Sequence, residues 1–301
     1  MEMSTETSTI EQQIEKLAKN GVKAHIKSKD SQAQINELTL EAVTKLGLTP
    51  NPIVYEIKTP KGSKEVRDVH FKFPLVMSCI VSRVPTALVG PAGSFKTSTV
   101  ERIAEHLELP FYSKSVSLQT GIHEFFGYQD ANGKYVPTLF RKAYEDGGVF
   151  LLDEFDAGNP NVLAALNQAT ANNSCAFADQ MVPKHKDFVI VMAGNTFGHG
   201  ATIEYVGRNK IDAATLDRFT FIHFPYDEDL EHKLATNKTW FKQVKAYRTR
   251  AASNKVNTII SPRATFSGAK LLDAGVSQEE VEEITIFKGL SDKERKLIKG
   301  K

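Results

Sequence analysis

The sequence predicts an α/β fold in which a five-stranded parallel sheet is covered by helices on both faces and followed by a smaller, helical C-terminal domain. Three observations predict it. Five short apolar runs, "TALVG" (86–90), "FYSKSVSL" (111–118), "GGVFLLDEFD" (147–156), "DFVIVMAGN" (187–195) and "FTFIHF" (219–224), lie between turn signals. Helical stretches separate most of these runs, and strands alternating with helices make a parallel sheet buried on both faces. After Pro225 the strand patterns stop, and "LEHKLATNKTWFKQVKAYRTRAAS", "PRATFSGAKLLDAG" and "SQEEVEEITIFKGL" read as helices. The expected organisation is an N-terminal accessory region over 1–65, an α/β domain over 66–225 and a helical domain over 226–301.

Taken in order, the N-terminal region is polar and carries no dense apolar core. In it "TIEQQIEKLAK" sets Ile10, Ile14 and Leu17 on one helical face, and "VYEIKTPKGSKEVRDV" reads as strand, Pro/Gly turn and strand. Within the α/β region, "GYQDANGKYVPTLF" has Asn132 and Gly133 between alternating flanks, the signature of a hairpin, and the helix "RKAYEDGG" follows it. A second hairpin is expected in "NNSCAFADQMVPKHKDF", leading into the run at 187–195. No internal repeat or low-complexity segment is present.

With 41% hydrophobic and 25% charged residues the composition is that of a soluble globular protein, and a net charge of +2 points to no polyanionic partner. Cys79 and Cys175 stand far apart, without Cys or His neighbours at metal-ligand spacing, so neither a disulfide framework nor a zinc site is expected. The N-terminus lacks the basic-then-apolar order of a signal peptide, and "FPLVMSCIVSRVPTALVG" is broken by Arg83 and Pro85, so no membrane span is expected. A cytoplasmic location fits these features.

The chemistry is concentrated in "TALVGPAGSFKTSTVERIAEHL", Thr86 to Leu107. A β-branched strand ends at Gly90, and "GPAGSFKT" opens a helix, the context in which a G-x-x-x-x-G-K-[ST] pattern acts as a phosphate loop. Backbone N–H groups of Gly90, Pro91, Ala92, Gly93, Ser94, Phe95, Lys96, Thr97 and Ser98 (all but the proline) line a tight turn at a helix N-terminus, whose dipole favours an anion. Lys96 is placed to reach the β- and γ-phosphates, and the Thr97 hydroxyl to ligate Mg²⁺. Phe95 departs from the pattern, which wants Gly: its ring must turn out of the loop or obstruct it.

A second element completes the reading. "GGVFLLDEFD" is an apolar strand ending in Asp153 and Glu154, whose side chains alternate to opposite sides. Asp153 is suited to the Mg²⁺ shell and Glu154 to polarising an attacking water. Together with the Lys96 loop, this predicts a P-loop nucleoside triphosphatase.

From about Phe73 to Arg263 the sequence resembles the AAA+ ATPases, and more narrowly the MoxR and dynein-related group that contains the CobS-type cobaltochelatase subunit. "GPAGSFKT" resembles Walker A, "VFLLDEFD" Walker B, and "VIVMAGNTFGHG" the sensor-1 strand, making Asn195 the residue that helps orient the lytic water. "AATLDRF" resembles the segment that carries a ring-contact arginine, Arg218, with Arg208 in "YVGRNKID" competing for that role. "SPRATFSGAKLL" resembles sensor 2, with Ser261 as N-cap, Pro262 in the first turn and Arg263 turned towards the nucleotide. The resemblance implies an AAA+ core with a helical lid, ATP and Mg²⁺ as ligands, and a homo-oligomer, a hexameric ring, that remodels a protein client. In that group the partner often carries a metal-ion-dependent adhesion domain, and hairpins placed like the two above touch the client, which makes Lys134 and Tyr135 the first contact candidates.

Two other readings stay open at the sequence level. One is a nucleic-acid motor or loader; the basic stretch "KAYRTRAASNK" lacks interleaved aromatics and reads as a solvated face, so nucleic acid is not favoured. The other is a nucleotide-gated scaffold with little hydrolysis, which Phe95 suggests and which the set Lys96, Asp153, Glu154 and Asn195 opposes. His199 reads as a solvated loop histidine.

Overall fold

The computed structural model describes residues 55–59 and 62–300, all within one compact unit, Val54–Lys301; the helical pattern expected at 9–19 lies outside them. The five expected strands form one all-parallel sheet: β3 (Thr86–Val89), β4 (Phe111–Ser115), β7 (Gly148–Asp153), β10 (Phe188–Gly194) and β11 (Thr220–His223), in the order β11-β3-β10-β7-β4. The expected hairpins are present as antiparallel pairs: β1 (Tyr55–Thr59) with β2 (Gly62–Val66), β5 (Tyr128–Gln129) with β6 (Tyr135–Val136), and β8 (Ser174–Ala176) with β9 (Met181–Pro183).

Every residue of β10 is buried, as a central parallel strand requires. Alternation sorts the core into two layers. Val149 and Leu151 of β7 point to a cluster with Phe73, Val76 and Ile80 of helix α1 (Phe73–Val81) and Val100 and Ile103 of α2 (Lys96–His106). Phe150 and Leu152 point the other way, to Phe140 and Tyr144 of a later helix (Leu139–Asp146) and Leu163 and Leu166 of another (Pro160–Ala171). Each such fully buried side chain contributes about 1.5–3 kcal/mol relative to exposure.

Register then sets the site. Val89 pairs with Gly194, and Ala193 with Asp153, so the loop after β3, the end of β7 and the residue after β10 reach the same sheet edge. That edge, beyond the strand C-termini where the order reverses, is where open α/β sheets hold ligands.

The C-terminal part is helical and has its own core. Trp240, Val244, Tyr247 and Ala251 form a buried stripe along Lys238–Ser253 and meet Ala264, Ala269, Val281 and Ile298 of the following helices Pro262–Asp273, Gln278–Thr285 and Asp292–Lys299, with Phe287 from the turn after the second of these. The stretch expected as helical after Pro225 is two helices, because Asn237 accepts a hydrogen bond from the Trp240 amide and starts a new one after Glu228–Leu234. The last helix was not anticipated, although "SDKE" encodes its capping box between Ser291 and Glu294.

Candidate nucleotide site

The loop "GPAGSFKT" is shaped by close backbone approaches. A Cβ at Gly90 would lie 1.8 Å from the Phe224 carbonyl oxygen, so only glycine fits there. Phe95 adopts φ 69°, ψ 18°, the left-handed region that the motif's usual glycine enters freely and that costs a bulky residue about 1–3 kcal/mol. The half-buried ring packs edge-on against Phe266 of Pro262–Asp273, and both residues border the cavity described below. Lys96 is 8% exposed, and its ammonium donates to the carbonyls of Gly90 at 2.8 Å and Pro91 at 2.9 Å. Burial lowers its pKa to about 8, although the carboxylates of Asp153 and Asp156 pull it upward.

The Thr97 hydroxyl donates to Asp153 Oδ2 at 2.9 Å, while Asp153 Oδ1 accepts from the Glu154 amide at 2.9 Å. This hydroxyl–carboxylate pair fits Mg²⁺. Among the described residues no three His, Cys, Asp or Glu side chains gather as metal ligands; an ion held by this pair would draw its other oxygens from elsewhere, as Mg²⁺ draws on phosphate and water in nucleotide sites. Ala92–Ser98, Asp153, Glu154, Gly194, Asn195, Pro262, Arg263 and Phe266 border one cavity of about 390 Å³.

Residues 85–219 match the family model of the AAA domain, dynein-related subfamily. That segment is a dynein-related AAA+ domain. The chain is 26% identical over 210 residues to the aerobic cobaltochelatase subunit CobS of a Sinorhizobium species, covering 60% of this chain and 63% of that one. It is 31% identical over 160 residues to midasin of Dictyostelium discoideum, covering 50% of this chain and 3% of midasin. The match therefore spans less than two thirds of each of these relatives. Among solved structures it is similar to a candidate ATPase of Cytophaga hutchinsonii (TM-score 0.43, 16% identity, 72% of this chain and 81% of that one). NtrX of Brucella abortus, solved with ADP, has a TM-score of 0.42 and 13% identity over 70% of this chain and 47% of that one.

The fold brings Lys96, Thr97, Asp153, Glu154 and Asn195 of the segment 85–219 to one cavity with Arg263, which lies beyond it. Ser261 caps the helix that carries Arg263, its hydroxyl accepting from the Arg263 amide at 3.3 Å, and Arg263 itself is exposed. Arg218 is not at this cavity: it lies on the surface, with its guanidinium on the Ala214 carbonyl. Arg208 does not border the cavity either but touches its lining: its side chain is 11% exposed, with Nη1 3.0 Å from Glu154 Oε2 and Nε 3.3 Å from Asp156 Oδ2. The Asn195 amide is satisfied when its nitrogen donates to the Gly90 carbonyl at 3.1 Å and its oxygen accepts from Arg208 Nη2 at 2.6 Å.

Sequence reading missed Asp156. Fully buried, it accepts at Oδ2 from the amides of Asn195 (3.1 Å) and Thr196 (2.8 Å) and from the Thr196 hydroxyl (2.9 Å). The available signal was the third acid of "DEFD", set in an apolar turn where an unpaired charge is costly. Two tyrosines were missed as well: Tyr205 accepts from the Ala92 amide at 3.1 Å, and Tyr226 donates to the Ala92 carbonyl at 3.2 Å, bracing the tip of the phosphate loop.

Elsewhere, Tyr135 does not project from its hairpin. Its ring lies 4.9 Å from the Arg141 guanidinium and its hydroxyl bonds the Phe126 carbonyl, while Lys134 is exposed. His199 is exposed and forms a backbone bridge with Lys210. Cys79 and Cys175 are free, and burial pushes the Cys175 thiol up to about 11. No helix among the described residues is long and apolar enough to cross a membrane.

Proposed function

We propose that this AAA+ protein is a Mg²⁺-dependent ATP hydrolase that works as a homo-oligomeric, hexameric ring and remodels a protein client or complex. The observation that carries the reading is the single cavity shared by Lys96, the Thr97–Asp153 pair, Glu154 and Asn195. The likeness to a chelatase subunit supports work within a larger assembly, with a partner that carries a metal-ion-dependent adhesion domain as the class to test first.

In this reading the amides of Gly93–Thr97 and the Lys96 ammonium bind the β- and γ-phosphates of ATP, and Lys96 leaves its two carbonyl partners to do so. Thr97 and Asp153 would hold Mg²⁺, which when bound offsets charge on the phosphate oxygens. Glu154 accepts a proton from the attacking water, and Asn195 orients that water. Arg263 faces the phosphates in cis. Arg218, exposed and outside its own cavity, serves the site of a neighbouring protomer, where a charge of this kind is worth about 10³–10⁵ in rate. The helical C-terminal part acts as a lid that hydrolysis moves.

The test is steady-state ATP hydrolysis against protein concentration, with light scattering for assembly and Glu154→Gln alongside. Turnover that rises with assembly and disappears in the variant supports the proposal. Assembly on ATP with equal inactivity of both proteins, despite bound nucleotide, replaces it with a nucleotide-gated scaffold, the reading that the Arg208–Glu154 ion pair would then explain.

A further inference from the structure

The arginine set between Glu154, Asp156 and Asn195 has a use that the proposed chemistry leaves open. Its loop is stitched to its own protomer along its length. The His199–Lys210 bridge and the bond from the Ile211 amide to the Gly198 carbonyl (2.9 Å) close the base. The Asn209 amide donates to the Asp156 carbonyl (2.8 Å), and the Asn209 side-chain amide donates to the carbonyls of Ala157 (3.3 Å) and Gly158 (3.0 Å). At the far end the Tyr205 hydroxyl holds the Ala92 amide, with the Arg208 guanidinium 5.8 Å from the Tyr205 ring centre.

We infer that Arg208 is a cis-acting positioning residue, held by the buried Asp156, that sets the lytic carboxylate Glu154 and the water-orienting Asn195 in one geometry within a single protomer. The proposal rests on the ATPase reading above. A guanidinium suits the task because its donors form a rigid planar fork: it hydrogen-bonds Glu154 and Asn195 and pairs ionically with Asp156, so three partners on two elements, the β7 turn and the end of β10, are fixed relative to one another by one group. Asp156 has little freedom to do otherwise. It is fully buried, its Oδ2 is shared by Arg208 and the Asn195–Thr196 turn, and its Oδ1 has no hydrogen-bond partner among the described residues. A lysine keeps the charge but holds one acceptor at a time, so Arg208→Lys does not restore the geometry.

The same contacts argue against Arg208 reaching a neighbouring subunit. Leaving Asp156 would take the ion-pair partner from a buried carboxylate that would keep only the hydrogen bonds of Asn195 and Thr196, a cost that the exposed Arg218 does not face.

Two measurements test this. The first is kinetic. Arg208→Gln is expected to lower kcat about 100-fold with little change in KM for ATP, Arg208→Lys to recover little, and Glu154→Gln/Arg208→Gln to be no slower than Glu154→Gln alone. Mixed assemblies separate cis from trans. Glu154→Gln mixed with Arg208→Gln stays inactive, because each site lacks one of two groups from the same protomer. Glu154→Gln mixed with Arg218→Ala regains up to about a quarter of wild-type turnover, the share of interfaces that random mixing completes. Recovery in the first mixture, or a raised KM with unchanged kcat in Arg208→Gln, overturns the inference.

The second needs no hydrolysis. In dilute, unassembled protein, hydrogen exchange is expected to show protected amides at Asn195, Thr196 and Asn209, with protection lost in Arg208→Gln and kept in Glu154→Gln. Protection that appears only on assembly, or that survives Arg208→Gln, overturns the inference. Should wild type and every mixture prove inactive, the ATPase reading fails, and the exchange result still decides where Arg208 acts.

Discussion

The ring of Phe95 meets the ring of Phe266 edge-on, with centroids 6.0 Å apart, and so ties the phosphate loop to the helix that carries Arg263. Where the motif's usual glycine would relax the loop, this chain accepts a left-handed Phe and gains an aromatic contact. Two opposing terms follow: about 1–3 kcal/mol of backbone strain and about 0.5–1.5 kcal/mol from the ring pair, with some buried area besides. Phe95→Gly is expected to leave stability within about 1 kcal/mol of wild type, since strain relief offsets the lost contact. Phe266→Ala loses the contact without the relief and should cost about 1–2 kcal/mol. Urea unfolding of the two variants and their double mutant measures this, and a Phe95→Gly protein destabilised beyond Phe266→Ala would refute it.

Lys96 makes nucleotide binding dependent on pH. Its pKa of about 8 in the free protein lies below the ordinary 10.5 because burial opposes the charge, and a bound polyphosphate favours the charge again. Binding near pH 8 should therefore take up about half a proton, and affinity should fall towards tenfold per pH unit above it. Calorimetry in buffers of different ionisation enthalpy reads the proton directly. For folding the sign is opposite to a paired lysine's. The unfolded chain holds this proton more tightly between pH 8 and 10.5, so the group adds stability as pH rises through that window.

The Thr97–Asp153 pair predicts the metal requirement. Thr97→Val keeps the shape of the side chain and removes one oxygen of the pair. The Mg²⁺ concentration for half-maximal ATP binding should rise about tenfold, the ~1.4 kcal/mol scale of one polar interaction to a charged group. A titration with a fluorescent ATP analogue checks it; an unchanged Mg²⁺ midpoint would remove Thr97 from the ion's shell.

A buried ion pair secures the helical part to the phosphate loop. Arg248 meets both oxygens of the fully buried Glu231 at 2.9 Å and lies 4.8 Å from the ring centre of Tyr226, whose hydroxyl holds Ala92. Thr265, on the helix of Arg263, also donates to Glu231. Arg248→Met should cost about 3–5 kcal/mol by leaving that carboxylate uncompensated, whereas Arg248→Met with Glu231→Leu should recover much of it. Denaturant midpoints of the single and double variants decide.

Gly268 touches the chain's single tryptophan. A Cβ there would lie 2.2 Å from Trp240 Nε1, which donates to the Ala264 carbonyl at 3.0 Å. Gly268→Ala should shift Trp240 fluorescence and cost about 1–3 kcal/mol by overpacking. An unaltered emission spectrum would show that the helices part without moving the indole.

The nature of these residues explains which features were legible in the chain. The three central sheet strands could be read because burial on both faces forces continuous apolar runs, the half-exposed edge strands from their place between turn signals, and the hairpin at 128–136 because Gly133 and its neighbours encode a turn. Asp153, Glu154 and Asn195 could be named as candidates because each stands at the end of such a run, where strand polarity delivers it to one edge, and Lys96 and Thr97 because the glycine-bearing loop after the first run opens a helix with them. Nothing local marks the partners of those residues. Asp156 looks like one more acid in a turn, Arg208 and Tyr205 like loop residues, and the Phe95 ring packs on Phe266, far along the chain. Sequence by itself therefore determined the parallel sheet, the hairpins and most of the helices, since hydrophobic period and chain direction are local properties. Tertiary structure alone decided which arginine pairs with Glu154, what a phenylalanine packs against in a glycine's place and which carboxylate is buried, because each is a contact between segments whose separation no local pattern spans.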